Sequence, residues 1–200
     1  MGAPLEFYFD FYSPYGYLAS TRIDEIAARH GREVTWRPFL VGATFALTGA
    51  RPLVEIPLQG DYSLHDMQRC ARELNVPFQL PENFPEAALA PSRAFYWLVD
   101  GQPEQARALA KRIYHATFGE GRDSTAPELV ADLAVPLGVD REALLQGIQS
   151  TAVKARLKQE TDTAVQRGVF GSPYIFVDGE PFWGNDRLEQ VDRWLAAGGW

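Results

Sequence analysis

The segment Ser13-Pro14-Tyr15-Gly16 combines a hydroxyl group with a helix start, and it is the part of this sequence best suited to chemistry. Ser13 has a side chain preferred at a helix N-cap, and Pro14 would be the first helical residue, where a proline loses no needed N–H. With no obvious partner histidine, the Ser13 hydroxyl is a poor base and a poor nucleophile. It can instead donate a hydrogen bond to a thiolate supplied from outside, which the helix N-terminus would also favour. An ordinary N-cap is the alternative interpretation.

A second proline and a polar pair near the C-terminus are further candidates. Ser172-Pro173 precedes a short apolar stretch, and Asn185-Asp186 stands where a last helix is predicted to begin. Only about 5–6% of X–Pro bonds are cis in folded proteins, so Pro173 alone predicts a loop ahead of a strand. Asn and Asp are preferred in helix caps, so the polar pair alone predicts a cap. Taken alone, neither motif indicates a binding site.

Strand patterns place these motifs at the two ends of an α/β domain. Four segments are predicted strands: 5–11, 33–36, 174–177 and 180–183. A helix from Pro14 to about Gly31 joins the first two, and such a unit normally has parallel strands and a right-handed crossover. Asp178-Gly179 is a hairpin turn signal between the last two strands. The sheet is therefore predicted to bring both ends of the chain together.

The middle of the chain is predicted to be helical. Six helical patterns are 63–74, 91–98, 103–118, 127–133, 141–148 and 151–167. A last helix is predicted from Asn185-Asp186, with Glu189 three residues after Asp186 as in a capping box. The simplest architecture is one α/β domain split by a helical insertion.

Composition excludes several classes of function. The formal net charge of −7 argues against nucleic-acid binding, and no basic run supports a membrane-surface role. No apolar run approaches the roughly 20 residues that a spanning helix needs, and Met1 to Glu6 lacks a secretion signal. Cys70 is the one cysteine, so no internal disulfide can form and a reducing, cytoplasmic location is expected. His30 and His115 lack metal-ligand spacing, so no metal site is expected.

Two longer segments, taken together, resemble a known family. The first runs from Phe9 to Ala19, and the second from Gly168 to Gly179 with Phe182 to Arg187 after it. They are similar to the 2-hydroxychromene-2-carboxylate isomerases, relatives of the kappa-class glutathione transferases within the DsbA-like branch of the thioredoxin superfamily. The resemblance implies a thioredoxin-like domain formed by residues 1–43 and 165–200, interrupted by an all-helical insertion domain over residues 44–164.

The resemblance also implies a cofactor, glutathione, and a role for each candidate. Ser13 is the implied catalytic residue, which stabilises the glutathione thiolate. The bond before Pro173 is implied to be cis, so that the backbone of Ser172 pairs with the cysteinyl group of the tripeptide. Asn185 and Asp186 stand where relatives hold the γ-glutamyl end. We therefore expect all five residues to contact glutathione.

The implied activity is an isomerisation in aromatic catabolism. It interconverts 2-hydroxychromene-2-carboxylate and trans-o-hydroxybenzylidenepyruvate, or a similar compound, by addition and expulsion of the glutathione thiol, and relatives act as homodimers. Redox relatives have Cys-x-x-Cys where this chain has Ser13 to Gly16, so dithiol exchange is excluded. Two alternatives stay open: a kappa-class-like transferase or peroxidase that consumes glutathione, and a non-catalytic binding module.

Departures from the family pattern bear on affinity. Ala46 and Ala50 stand where the family often has Lys and usually has Asn, and both family residues touch glutathione or substrate. We therefore expect weaker glutathione binding or a different acceptor. The aromatic side chains near Ser13 suit a flat substrate; they are Phe11, Tyr12, Tyr15 and Tyr17. Tyr12 and Tyr17 could equally be packing residues. Phe182 and Trp183 are expected to be core residues.

Overall fold

The computed structural model describes residues 2–200, and its centre is a four-stranded mixed sheet. The strands are β1 (Leu5–Phe9), β2 (Val34–Pro38), β3 (Tyr174–Val177) and β4 (Glu180–Trp183). Their order is β2-β1-β3-β4, with β1 and β2 parallel and the other neighbours antiparallel. All four predicted strands are confirmed, although β1 ends two residues early and β2 is shifted toward the C-terminus. The ends of the chain therefore meet in one sheet.

The hairpin between β3 and β4 turns at the predicted residues. Asp178 has a φ of 53° and Gly179 a φ of 94°. Positive φ at both central residues is the geometry of a type I′ turn, which matches the right-handed twist of the strands it joins. The turn fixes the register in which Trp183 lies opposite Tyr174.

In residues 2–200, ten α-helices surround or extend the sheet. They are α1 (Pro14–Ser20), α2 (Ile23–Arg29), α3 (Phe45–Thr48), α4 (Gln59–Glu73), α5 (Leu89–Leu98), α6 (Pro103–Tyr114), α7 (Pro127–Ala134), α8 (Arg141–Gln149), α9 (Thr151–Gln166) and α10 (Leu188–Ala197). Short 3-10 turns cover Val41–Thr44, Leu53–Glu55, Val135–Leu137 and Asn185–Arg187, and a π-helical turn covers His115–Gly119. Within residues 2–200, none of the helices has the length and apolar character needed to cross a bilayer.

Two helix predictions need correction. The single first helix is divided into α1 and α2, because the hydroxyls of Ser20 and Thr21 donate to backbone carbonyls three residues earlier and compete with the helical pattern. The predicted capping box at Asp186 is also wrong. Glu189 binds Arg22 at 2.7 Å instead, and α10 begins at Leu188 after a 3-10 turn.

One continuous core joins the sheet to the helices of the middle segment. The fully buried ring of Phe9 in β1 packs edge-to-face on Phe95 of α5, with centroids 6.2 Å apart, and tilted against Tyr114 of α6, at 5.6 Å. The DsbA-like thioredoxin fold predicted from the sequence is thus formed with the helices packed directly on it. The domain boundaries at residues 43/44 and 164/165 stay a prediction.

Candidate active site

Ser13 caps α1 and also reaches across to a second segment of the chain. Its Oγ accepts a hydrogen bond from the Gly16 N–H at 3.0 Å, which is the predicted N-cap contact. The same hydroxyl donates to the carbonyl oxygen of Ser172 at 2.8 Å. The single hydroxyl proton of Ser13 therefore points at the backbone of the residue that precedes Pro173.

The Ser172-Pro173 loop faces the start of α1, and its peptide bond is cis as expected. The Ser172 Oγ accepts a hydrogen bond from the backbone N–H of Asp10 at 2.8 Å, and the Pro173 carbonyl accepts one from Gly184 at 3.1 Å. These bonds attach the loop to both β1 and the end of β4. The two sequence motifs are thus held face to face, as the resemblance implies.

Asp10 is a residue that the sequence analysis missed. It is 5% exposed, and its carboxylate oxygens accept backbone N–H groups from Tyr12 and from Val41, both at 2.9 Å. Burial raises the pKa of Asp10 to about 6, against the lowering effect of these two hydrogen bonds. An acid flanked by Phe9 and Phe11 at the end of an apolar strand was the available signal. Asp10 joins the β1–α1 turn to the segment after β2.

Close packing against two hydroxyl groups explains why the Ser13-Pro14-Tyr15-Gly16 motif ends in glycine. A Cβ at this position would lie 2.5 Å from the Tyr114 hydroxyl oxygen and 3.0 Å from the Ser172 Oγ. The Tyr114 hydroxyl in turn donates to the backbone carbonyl of Asp10 at 2.8 Å. The first turn of α1 can therefore approach its neighbours closely only without a side chain. Below, Asp10, Ser13 and Ser172 are called the polar cluster.

A cavity of about 650 Å³ opens beside the polar cluster. All three members of the cluster line it, together with the segment over residues 50–56, which is called the loop wall below. Other lining residues are Tyr12, Tyr15, Phe45, Met67, Phe84, Phe170 and Trp183. Its size suits a small organic ligand, and its mainly apolar lining with a few polar groups is typical of such sites.

The aromatic residues divide between the core and the cavity. Phe11 and Tyr17 are buried core residues, whereas Tyr12 and Tyr15 line the cavity. Phe182 is buried as predicted, but the prediction for Trp183 is wrong. Trp183 is 55% exposed, lines the cavity and packs on Phe170 with ring centroids 4.7 Å apart. Successive strand residues point to opposite faces, so only one of the two could face the core.

The two tyrosines that line the cavity stay protonated near neutral pH. Burial raises the pKa of Tyr12 to about 12, and its hydroxyl donates to Asp123 at 3.0 Å. Burial also raises the pKa of Tyr15, whose hydroxyl donates to Asp66 at 2.7 Å. Neither group can act as a general base in this state, so both contribute neutral, hydrogen-bonded surface.

Asn185 and Asp186 lie in the 3-10 turn that packs against α1. Asn185 is 8% exposed, and its Oδ1 is buried without a hydrogen-bond partner in residues 2–200. Asp186 is exposed, and neither residue is part of the cavity lining. A buried oxygen without a hydrogen-bond donor is uncommon in a folded protein. The predicted contact of both residues with a ligand stays a prediction.

The other polar candidates are not part of the cavity lining. Cys70 on α4 is half-buried against the core, and burial raises the pKa of its thiol. His65 is exposed on the same helix, as expected. Across residues 2–200, no group of three His, Cys, Asp or Glu side chains is arranged to hold a metal ion.

Comparison with known proteins gives consistent matches along nearly the whole chain. A family model described as DSBA-like thioredoxin domain matches residues 4–196. A 2-hydroxychromene-2-carboxylate isomerase of Sphingobium xenophagum is 32% identical over 197 residues, which are 98% of this chain and 99% of that protein. The human glutathione S-transferase kappa 1 is 26% identical over 213 aligned positions, covering 96% of this chain and 92% of that protein.

A solved structure matches the fold closely. The structure of a 2-hydroxychromene-2-carboxylate isomerase superposes with a TM-score of 0.87 and 31% identity, covering 97% of this chain and 94% of that one. The similarity therefore includes both the sheet and the helices of the middle segment.

Proposed function

This chain belongs to the DSBA-like thioredoxin domain family and, within it, to the 2-hydroxychromene-2-carboxylate isomerases, and on this premise we propose the cofactor, substrate and catalytic residue of its reaction. The chain is an isomerase. We propose that it is glutathione-dependent and interconverts 2-hydroxychromene-2-carboxylate with trans-o-hydroxybenzylidenepyruvate, or acts on a similar intermediate of aromatic catabolism. The observation that carries the proposal is the Ser13 hydroxyl, held against Ser172 at the edge of a largely apolar cavity.

The residues around the polar cluster fit a tripeptide. The Ser172 carbonyl accepts its hydrogen bond from a hydroxyl that can rotate away, so the backbone of Ser172, before the cis-proline, can pair with an extended peptide. The unpartnered Oδ1 of Asn185 can accept a hydrogen bond from an ammonium group, such as the α-ammonium of a γ-glutamyl residue. Asp186 beside it adds a carboxylate of the opposite charge. Ser13, Ser172, Pro173, Asn185 and Asp186 are therefore the proposed binding residues.

Glutathione, when bound, supplies a thiol that can add to a conjugated double bond and later leave, so that rotation becomes possible in between. Ser13 serves this chemistry as a hydrogen-bond donor, and its hydroxyl proton stays on the oxygen while the O–H changes direction. The proton now lies on the hydrogen bond to Ser172, and rotation about the Cβ–Oγ bond would direct it to a thiolate. The Gly16 N–H keeps the oxygen in place during that rotation.

The lowering of the thiol pKa that Ser13 must provide is modest. Lowering a thiol pKa from about 8.5 to about 6.5 raises the ionised fraction at pH 7 from a few per cent to most of the population. The gain in reactivity is roughly 2 kcal/mol at most, because nucleophilicity falls with basicity. A single charge-assisted hydrogen bond has a strength of this order. The proposed role therefore needs no further cation near the sulfur.

The cavity lining suits a flat, mainly apolar substrate. The Phe170–Trp183 pair offers aromatic surface at the cavity, and Tyr12 and Tyr15 add neutral rings. Apolar walls exclude water, which strengthens each hydrogen bond inside. The lining therefore supports an aromatic substrate over a sugar or a nucleotide.

Two alternatives use the same site. A kappa-class-like transferase or peroxidase would consume glutathione. This alternative has weaker support, because the chain is 26% identical to the human kappa enzyme and 32% identical to the isomerase. A non-catalytic binding module is favoured only by Ala46 and Ala50, which lack the polar groups usual in the family.

Turnover of 2-hydroxychromene-2-carboxylate, with total glutathione measured before and after, separates these functions. We expect the rate to depend on glutathione and the amount of glutathione to stay constant. Consumption of one glutathione per product would identify a transferase. No turnover, together with no calorimetric heat at millimolar glutathione, would contradict both enzyme functions and leave the binding module.

A further inference from the structure

The charges that line the cavity are unevenly distributed. Four lining residues are carboxylic acids or arginines: Asp10, Arg51, Glu55 and Glu86. Among the lining residues in the described part of the chain, Arg51 is therefore the single cation. Asp10 is buried and bonded to backbone N–H groups, whereas Arg51 and the two glutamates are exposed.

Arg51 differs from most arginines of this protein in having no ion pair. Arg32, Arg37 and Arg167 each contact a carboxylate, at 2.6, 2.8 and 2.6 Å respectively. No residue within 2–200 forms a salt bridge or a side-chain hydrogen bond with Arg51. Its five N–H donors are thus free to bind a planar, bidentate acceptor, and carboxylates are the acceptors that a guanidinium matches best.

The charges around Arg51 are mainly negative. The chain carries a net charge of −7, and Glu55 and Glu86 add negative charge at the cavity itself, so an anionic ligand needs a local cation to enter. Ala50, which also lines the cavity, and the exposed Ala46 cannot bind an anion through their side chains. Arg51 directly follows Ala50, in the segment where the family has its polar residue.

We propose that Arg51 binds an organic carboxylate in this cavity. The identity of this carboxylate rests on the proposed function. It belongs either to the bicyclic aromatic substrate or to the tripeptide, and both present the same group to Arg51. Arg51 in the loop wall thus binds the anion, while Ser13 in the polar cluster donates the hydrogen bond to the thiolate. A guanidinium–carboxylate pair at a partly apolar site changes affinity by about tenfold or more.

A binding measurement that needs no turnover tests the carboxylate itself. Calorimetry compares trans-2-hydroxycinnamate with its neutral carboxamide, for the wild-type protein and for Arg51→Ala. We expect the wild-type protein to prefer the carboxylate at least tenfold, and Arg51→Ala to lose that preference. Arg51→Lys should keep part of it, because the charge remains but the bidentate geometry is lost. Arg72→Ala is the matched control, since Arg72 is exposed, has no ion pair in the described chain and does not line the cavity.

Kinetics then identify the source of the carboxylate. A tenfold rise in the KM for 2-hydroxychromene-2-carboxylate in Arg51→Ala assigns the pair to the substrate, whereas a tenfold rise in half-saturating glutathione assigns it to the tripeptide. A wild-type protein with no preference for the carboxylate, or an Arg51→Ala variant that keeps it, overturns the proposal. A wild-type protein that prefers the carboxylate but isomerises nothing supports the role of Arg51 and contradicts the proposed function.

Discussion

The polar cluster and the loop wall line the same cavity but are built in opposite ways. Every side chain of the cluster is bonded to the backbone of another segment, as when Ser13 binds Ser172 and Asp10 binds Val41. The wall exposes the side chains of Arg51, Leu53 and Glu55, and neither charged side chain forms a hydrogen bond or an ion pair within residues 2–200. One side of this site is therefore held in a fixed geometry by hydrogen bonds, while the side chains of the other side are free to adjust to a ligand.

The difference follows from the elements that carry each region. The cluster lies after the end of β1, at the start of α1 and just before β3, and these elements pack into the buried core of the domain. The wall and the chain leading to it contain only the four-residue α3 and two 3-10 turns. Ala46 and Ala50 both fall in this second region. Their departure from the family pattern therefore changes side chains that the fold does not require.

The largest effect is expected from Asp10→Asn, which tests whether the cluster contains a buried charge. The pKa of Asp10 is about 6 in the fold against 3.8 in the unfolded chain, so the folded state binds the proton more tightly. The stability this proton contributes is present below pH 3.8 and is lost as the pH rises through 6. Between about pH 4 and about pH 7, the free energy of unfolding of the wild type should fall by about 2 kcal/mol relative to Asp10→Asn.

Denaturant unfolding of both proteins at the two pH values measures this difference. Glu55→Gln is the matched control from the loop wall, because Glu55 is exposed and lines the same cavity. We expect no comparable change with pH for that variant. A difference between wild type and Asp10→Asn that stays constant with pH would mean that the carboxylate of the cluster is as well solvated as one on the wall.

The next effect is expected from Ser13→Ala, which separates chemistry from capping. Loss of the cap should lower the free energy of unfolding by about 1 kcal/mol, and glutathione-dependent turnover should fall tenfold or more. Ser150→Ala is the control, because Ser150 caps α9 through the Val153 N–H but does not line the cavity. It should lose similar stability and keep its turnover. Equal turnover in wild type and Ser13→Ala would remove the proposed role.

The parts of the fold that repeat a local pattern were predictable from the sequence. Strand β1, the start of α1 at Pro14 and the Asp178-Gly179 turn all depend on residues close together in the chain. The juxtaposition of Ser13 with Ser172 came from the resemblance, since 159 positions separate them. Local signals thus located the strands and most helices, whereas the contact between the two serine motifs followed from the family pattern.

The rest depended on contacts that no local pattern contains. Asp10 binds Val41 across 31 positions, and nothing near Asp10 in the sequence indicates this partner. The exposure of Trp183 depends on which face of β4 packs on α10. Phe182 lies on that face, with its ring centroid 5.7 Å from that of Trp194, so Trp183 points to the other face. The role of Asn185 and Asp186 depends on a ligand rather than on the fold. It stays a prediction.

The smallest effect is expected from Leu53→Ala, which asks whether the loop wall contributes to binding without contributing to stability. Leu53 is 44% exposed and lines the cavity, so its truncation should change the free energy of unfolding by less than about 0.5 kcal/mol. Loss of its apolar contact with an aromatic ligand corresponds to about 1 kcal/mol, or a roughly fivefold rise in KM. Leu58→Ala should change neither quantity, because Leu58 is 91% exposed and outside the lining. A stability loss above about 2 kcal/mol in Leu53→Ala would place the wall in the folded core, and the contrast with the polar cluster would fail.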